Sequence, residues 1–484
     1  MKKHLFAFVI LFISLVSYSQ DNPDRDLSTD QLKEDLSILK KNLEVLHSDL
    51  YERCTKEEFD SLFDVVDRQL NEAMTPMEFY KLLLPIQDLI SNGHTYFFPN
   101  GYYFSPFYQA KVLPIRVKII DYKIYVHEVY TDSFSLKPGY QIKKINNIEA
   151  REIIDRLSFY FAHDGENTSL PIKDAEENFP FVLMHELGKQ DSLHIEYADL
   201  KSKLNIEYIK TKTEEDIDKY IALNFPVVPE SPINLDFKEK TAILTINTFD
   251  KDEIKKNGGA YNKQFEQIFK KIRTKECDNL ILDLRDNSGG YNEVAQDLFR
   301  YFADSSVAYY KDTYTNNFSF KDADKKHIVD NLLQARILRA LLLEEKEDKL
   351  VPNKLSKRVD FFQLNRIELS DYRFRGKVFV LTSPNTFSAG AEFAGMLKQH
   401  CNATIIGEET GGNPKYVVAG FMPKLILPNT GTTVALCMVT SITNIHDEVE
   451  DRGLVPDHEV KATIEQILNK EDVVMDYAFK LIGG

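Results

Sequence analysis

The sequence predicts an α+β multidomain protein: a helical N-terminal region, a module of short strands, and an α/β domain. Three observations carry this. Apolar residues recur at helical spacing early in the chain, short strand-like runs among turn residues follow, and from about residue 233 strands and helices alternate. At 484 residues the chain is longer than one core usually serves.

Residues 1–19 read as an export signal. Lys2 and Lys3 supply the positive start, 5–16 are apolar, and Ser17-Tyr18-Ser19 offers small residues before a cut ahead of Gln20. That stretch is short for a spanning helix, and no later run is long enough to cross a bilayer. The expectation is an exported protein, periplasmic or extracellular, without stable membrane insertion.

The helical region covers 20–100. Leu32, Leu36, Leu39, Leu43 and Leu46 make one apolar helix face, and Pro76 and Glu78 open a further helix that Ser91-Asn92-Gly93 breaks. The strand module with its linker covers 105–225. Val117, Ile119, Ile124, Val126 and Val129 sit among turn residues. Lys137-Pro138-Gly139 then makes a turn, Ile142 and Ile145 start a buried strand, and Asn146-Asn147 makes a tight hairpin turn; an ordinary β-hairpin explains the same residues. The α/β domain covers 226–484, with buried strands near 280–284 and 377–381 and helices near 293–302 and 391–400. Residues 306–370 are polar and less regular, and predict an insertion with its own helix near 330–345.

Composition narrows the function. Hydrophobic residues make up 43% and charged residues 28%, a globular profile. A net charge of −15 argues against nucleic-acid binding, which needs a basic face. Cys54, Cys277, Cys401 and Cys437 are scattered without CxxC or HExxH, so no metal site or other cofactor is expected and buried free thiols are the simplest reading.

Two segments carry candidate chemistry. In the run from Leu280 to Gly290 an apolar strand ends in Asp283 and Arg285, which hold the turn, and then Gly289-Gly290, where backbone N–H groups can approach an oxyanion closely. In the run from Val378 to Phe393 a strand and short loop lead to Ser388 at a helix start, among the small residues Ala389, Gly390 and Ala391. A serine at that place is either a nucleophile or a helix cap.

Together these segments resemble the tail-specific (C-terminal processing) serine peptidase family. The first is similar to "L-I-L-D-L-R-x-N-x-G-G", the second to "V-x-V-L-T-x-x-x-T-x-S-A-x-E-x-F", and Ile406-Gly407-Glu408-Glu409-Thr410-Gly411-Gly412 to "V-G-E-x-T-G-G". Residues 136–147 resemble the "L-x-P-G-D-x-I-x-x-I-N-G" stretch of PDZ domains, with Tyr140 and Asn147 replacing Asp and Gly. The resemblance implies a catalytic domain of the ββα-spiral, crotonase-like type and a PDZ-like module that receives a peptide C-terminus. It also implies peptide or protein substrates and a Ser388 acyl-enzyme, with the oxyanion held by Gly289 or Gly290 and by Ala389.

For the base, one branch of the family uses a Lys about 25 residues after the Ser. That position is Asn413, with Lys415 two further on behind Pro414. The tricorn-core-like branch uses a His, and Ser91-Asn92-Gly93-His94-Thr95 is similar to its "D-G-H-T", which makes His94 the expected base and His446 its competitor. Glu450, in a stretch similar to "E-x-x-G-V-x-P-D", is the expected acid, with Glu448 next; Ser91 is a candidate link between acid and base. Two other functions compete. Retinoid-binding repeats resemble the same fold without catalysis, and Ala391 standing where the family has Glu favours such a ligand- or peptide-binding protein. An α/β-hydrolase esterase would need G-x-S-x-G, which Phe387-Ser388-Ala389 lacks. The oligomeric state is left open.

Overall fold

The computed structural model describes residues 25–101, 110–225, 231–316, 323–329, 348–351, 354–358, 366–447 and 450–483. The export-signal residues, Glu448 and the helix expected near 330–345 lie outside these.

Three helices, Thr29–Leu46, Lys56–Gln69 and Pro76–Ile90, open the chain. Each starts at a capping box: Ser28 with Gln31, Thr55 with Glu58, Thr75 with Glu78. The reciprocal side-chain bonds satisfy backbone donors that a helix start otherwise leaves orphaned. The leucine face predicted along the first helix is buried. The third helix stops where Ser91 turns left-handed at φ 52. The chain then reaches a two-residue strand, Phe97–Phe98, that pairs antiparallel with Thr433–Ala435. This ladder stitches the N-terminal region to a segment more than three hundred residues later.

The strand module is an antiparallel sheet in the order Ile115–Ile120, Lys123–Val129, Gln141–Ile145, Ser192–Ala198, Leu204–Lys210. Ile142 and Ile145 are fully buried, and Asn146 and Asn147 take φ of 48° and 65°, so the chain doubles back there. One apolar core runs without a break from the N-terminal helices (Leu39, Phe59, Phe79) through this module (Val117, Ile142, Ile195) to Leu425, Val434 and Met438. The module therefore shares its core with its neighbours, and cutting it out would expose their apolar surface to water.

The main sheet of the C-terminal half has six strands, in the order Ile233–Lys238, Thr241–Ile246, Asn279–Asp283, Lys377–Thr382, Thr404–Gly407, His458–Glu459. The first pair is antiparallel and the other four pairings are parallel. Both faces are covered. Ala242, Leu244, Leu280, Leu282, Val380 and Ile405 point into one core, and Ile281, Phe379, Leu381 and Ile406 pack with Ala478 of the C-terminal helix. Continuous apolar runs in these strands follow from two-sided burial.

The crotonase-like ββα-spiral expected from the resemblance is corrected here. The sheet is open, its strands follow one another in chain order, and no closed or curled sheet occurs among the described residues. The physical reason is that apolar runs set what each segment is, whereas strand order depends on which edges the intervening helices leave free.

Candidate active site

The strand Asn279–Asp283 ends at a turn that several side chains fix. Arg285 grips Asp283 through Nε (2.9 Å) and Nη2 (2.6 Å) and reaches Asp472 through Nη1 (2.7 Å). Burial works against the Arg285 charge, but the two carboxylates hold its pKa above the usual value. Asn287 ties three chain segments together. Its Oδ1 accepts the Gly289 N–H (2.9 Å), its Nδ2 donates to Ile246 O (3.1 Å), and its carbonyl accepts the Phe387 N–H (3.0 Å).

Gly289 has φ +97, and a Cβ there would stand 2.8 Å from Ser388 Cβ and 3.0 Å from the Ala389 nitrogen. No room exists for a side chain, so the two segments meet at backbone contact distance. On the expectation from the resemblance that this turn faces an oxyanion, Gly289→Ala is expected to cut turnover by about 10²-fold or more by displacing those donors; steady-state kinetics on a fluorogenic peptide checks this, and an unimpaired variant would remove the turn from the site. Of the two glycine amides, that of Gly289 is committed to Asn287. At Gly290 the parallel bridge uses Phe249 N–H to Gly289 O and Tyr291 N–H to Phe249 O, which leaves the Gly290 N–H turned away from Phe249. The Ala389 N–H likewise has no partner among the described residues.

Ser388 stands at the N-cap of the helix Ala389–Cys401, with φ 51 and ψ −129. A serine with positive φ is strained, at a cost on the order of 1–3 kcal/mol. Its side chain makes no capping bond, and the residue is half-buried. Thr386 Oγ1 donates to Leu284 O (2.8 Å) and fixes the loop ahead of it. Asn385 in the same loop donates to Glu177 Oε1 (3.0 Å), a direct contact from the strand module. Glu392, one turn into the helix, is fully buried; burial raises its pKa to about 7, and it accepts the Tyr310 hydroxyl (2.6 Å). It anchors the helix from below.

His94 is 7% exposed, and its ring stacks on Phe387 with centroids 4.6 Å apart. Neither ring nitrogen has a hydrogen-bond partner among the described residues. Burial lowers its pKa below the ordinary imidazole value, and the Asp164 carboxylate opposes that shift. His94 is thus beside the residue that precedes Ser388, with no hydrogen bond joining the two side chains. Thr95 fixes the loop: its hydroxyl donates to Asn92 Oδ1 (2.8 Å) and lies 2.8 Å from His47 Nε2.

The other candidates lie elsewhere. Lys415 donates through Nζ to Asp447 O (2.9 Å). His446 is exposed, its ring 6.0 Å from His400. Ser91 Oγ donates to Gly165 O (2.9 Å) and lies 3.3 Å from His163 Nδ1, so it is engaged away from His94. The Glu450 side chain is 78% exposed, with Arg452 Nη1 at 4.0 Å. The buried carboxylate near His94 is instead Asp164, which sequence reasoning did not single out; it lies about seventy residues from the His94 loop and belongs to no recognisable motif.

Residues 240–460 match the model of peptidase family S41. No curated protein matches the sequence. Among solved structures the chain is similar to mature CPAF, with a TM-score of 0.65 at 15% identity over 94% of this chain and 96% of that one. It is also similar to mature CPAF complexed with lactacystin, with a TM-score of 0.64 at 15% identity over 94% and 97%. At this identity the likeness establishes a shared fold across nearly the whole chain, and that fold replaces the crotonase-like expectation.

Proposed function

We infer, from the match of its C-terminal half to peptidase family S41, that this protein is a serine-type peptidase that hydrolyses peptide bonds through an acyl-enzyme at Ser388. The observation that supports this most is Ser388 itself. It is a strained, half-buried serine at the start of a buried helix, free of any capping bond, packed against a glycine turn with no room for a side chain. A cap would use its hydroxyl; a nucleophile needs it free.

In the proposed cycle Ser388 Oγ attacks the scissile carbonyl. His94 takes the Oγ proton and later returns it to the leaving amine. The Ala389 and Gly290 N–H groups receive the oxyanion, and the partial positive charge of the helix start adds to them. The Ser–Lys alternative is disfavoured because Lys415 is held on Asp447 O. The His94–Ser388 hydrogen bond is open without substrate, as catalytic hydrogen bonds often are before substrate binds. Substrates are peptides or protein segments, and no helix of the described residues is long and apolar enough to cross a membrane. The export signature of residues 1–19 supports an encounter outside the cytoplasm.

Besides Ala391, the stacked, unpaired His94 is the structural observation that favours a non-catalytic binder of the same fold. A serine-reactive fluorophosphonate decides between the two. The peptidase reading expects covalent labelling located at Ser388 by mass spectrometry. An unlabelled, folded protein that still binds peptides would favour the binder.

A further inference from the structure

Four loops meet near His94, and a buried carboxylate on one of them, Asp164, bonds two of the others. Asp164 is 1% exposed. Its Oδ1 accepts the Gly93 N–H (2.9 Å), next to His94, and its Oδ2 accepts the Asn413 N–H (3.1 Å). The second bond matters for the nucleophile: a Cβ on Gly412, the residue before Asn413, would lie 2.9 Å from the Ser388 nitrogen. One carboxylate therefore bridges the loop of the base to the loop that backs the nucleophile. Its own segment is locked in turn. The Gly165 N–H donates to Ser91 O (3.0 Å) and the Glu166 N–H to Asp451 O (2.7 Å). Arg53 closes the arrangement with two bonds to Asp451 (2.6 and 2.5 Å) and one to Ser91 O (2.7 Å).

We propose that Asp164 is the positioning residue for His94: it sets the distance between the base and nucleophile loops and supplies the negative charge that stabilises the imidazolium formed when Ser388 loses its proton. This rests on the His94–Ser388 reading and assigns to Asp164 the acid's work expected of Glu450. A buried carboxylate suits it, because a charge in a low-dielectric surround acts on a nearby cation far more strongly than an exposed one such as Glu450. The other groups around the base leave Asp164 as the acting charge. His47, from the end of the first helix, meets Thr95. Cys437, just after the strand Thr433–Ala435, meets the Thr95 side chain, and burial pushes its thiol up to about 12, so it stays neutral. Arg53 pairs with Asp451, and its guanidinium also interacts with the Asp164 carboxylate; of these groups only Asp164 acts electrostatically on the His94 ring.

The test is the pH profile of kcat/KM for Asp164→Asn in the full-length protein. Asparagine removes the charge and can accept only one of the two amides. Turnover is expected to fall about 10- to 100-fold, and the acid limb, set by His94, to move about one pH unit lower, because the charge that favours the imidazolium is gone. The limb's position does not depend on how much enzyme folds. If the Asp164→Asn protein does not fold, Asp164→Ser, which is small and uncharged, is expected to show the same displacement. A fall in turnover with the limb unmoved would make Asp164 a structural staple only and overturn the electrostatic role; an unchanged turnover and profile would overturn the whole inference. Failure of the underlying reading looks different: either Ser388→Ala or His94→Gln would then keep its activity.

Discussion

Ser388→Ala is expected to abolish peptide hydrolysis, a loss of about 10⁶-fold in turnover, while leaving the fold and its stability unchanged. The stability half follows from the geometry. Ser388 makes no capping bond, and its positive φ is as strained for alanine as for serine, so no stabilising contact is lost. The activity half follows from chemistry, since without Oγ no acyl-enzyme forms and only the oxyanion donors and substrate binding remain. Peptide cleavage assayed beside a thermal melt checks both halves. Retained hydrolysis would sink the nucleophile assignment, and lost hydrolysis with a collapsed melt would mean that the serine is structural.

His94→Gln is expected to cost about 10³-fold or more in turnover, because glutamine cannot accept and return the Ser388 proton. The pH dependence of the unaltered enzyme carries the same information. Burial depresses the His94 pKa, and Asp164 only partly offsets this. The neutral, proton-accepting form therefore persists below the ordinary imidazole value of about 6.5. Activity is expected to hold as pH falls through that value and to be lost only at lower pH, as the ring protonates. Lys415→Ala is expected to cost little, given that its ammonium is tied to Asp447 O. A dead Lys415→Ala beside an active His94→Gln would restore the Ser–Lys mechanism. If both remained active while Ser388→Ala was dead, the exposed His446 would be the base to test.

The local chemistry could be read from the chain itself. Helix starts at Thr29, Lys56 and Pro76 are written in S/T-x-x-E/Q pairs, which cap through bonds that span only three residues. The glycine turn at 289–290 and the serine at 388 are short-range patterns of the same kind, each a strand end followed by residues that leave backbone exposed. What the tertiary structure decided is everything that depends on residues far apart. It stacked His94 on Phe387, and it paired Phe97–Phe98 with Thr433–Ala435, a ladder with no signature in either short strand. It set the strand order that replaced the crotonase-like expectation. It left Glu450 in solvent and put Asp164 between the loops of Gly93 and Asn413. Capping, turns and apolar periodicity act over a few residues and leave their mark in composition and spacing. Desolvation and the bridging of distant loops depend on what the folded chain packs around a group, and a carboxylate reads the same in sequence whether it ends in water or in the core.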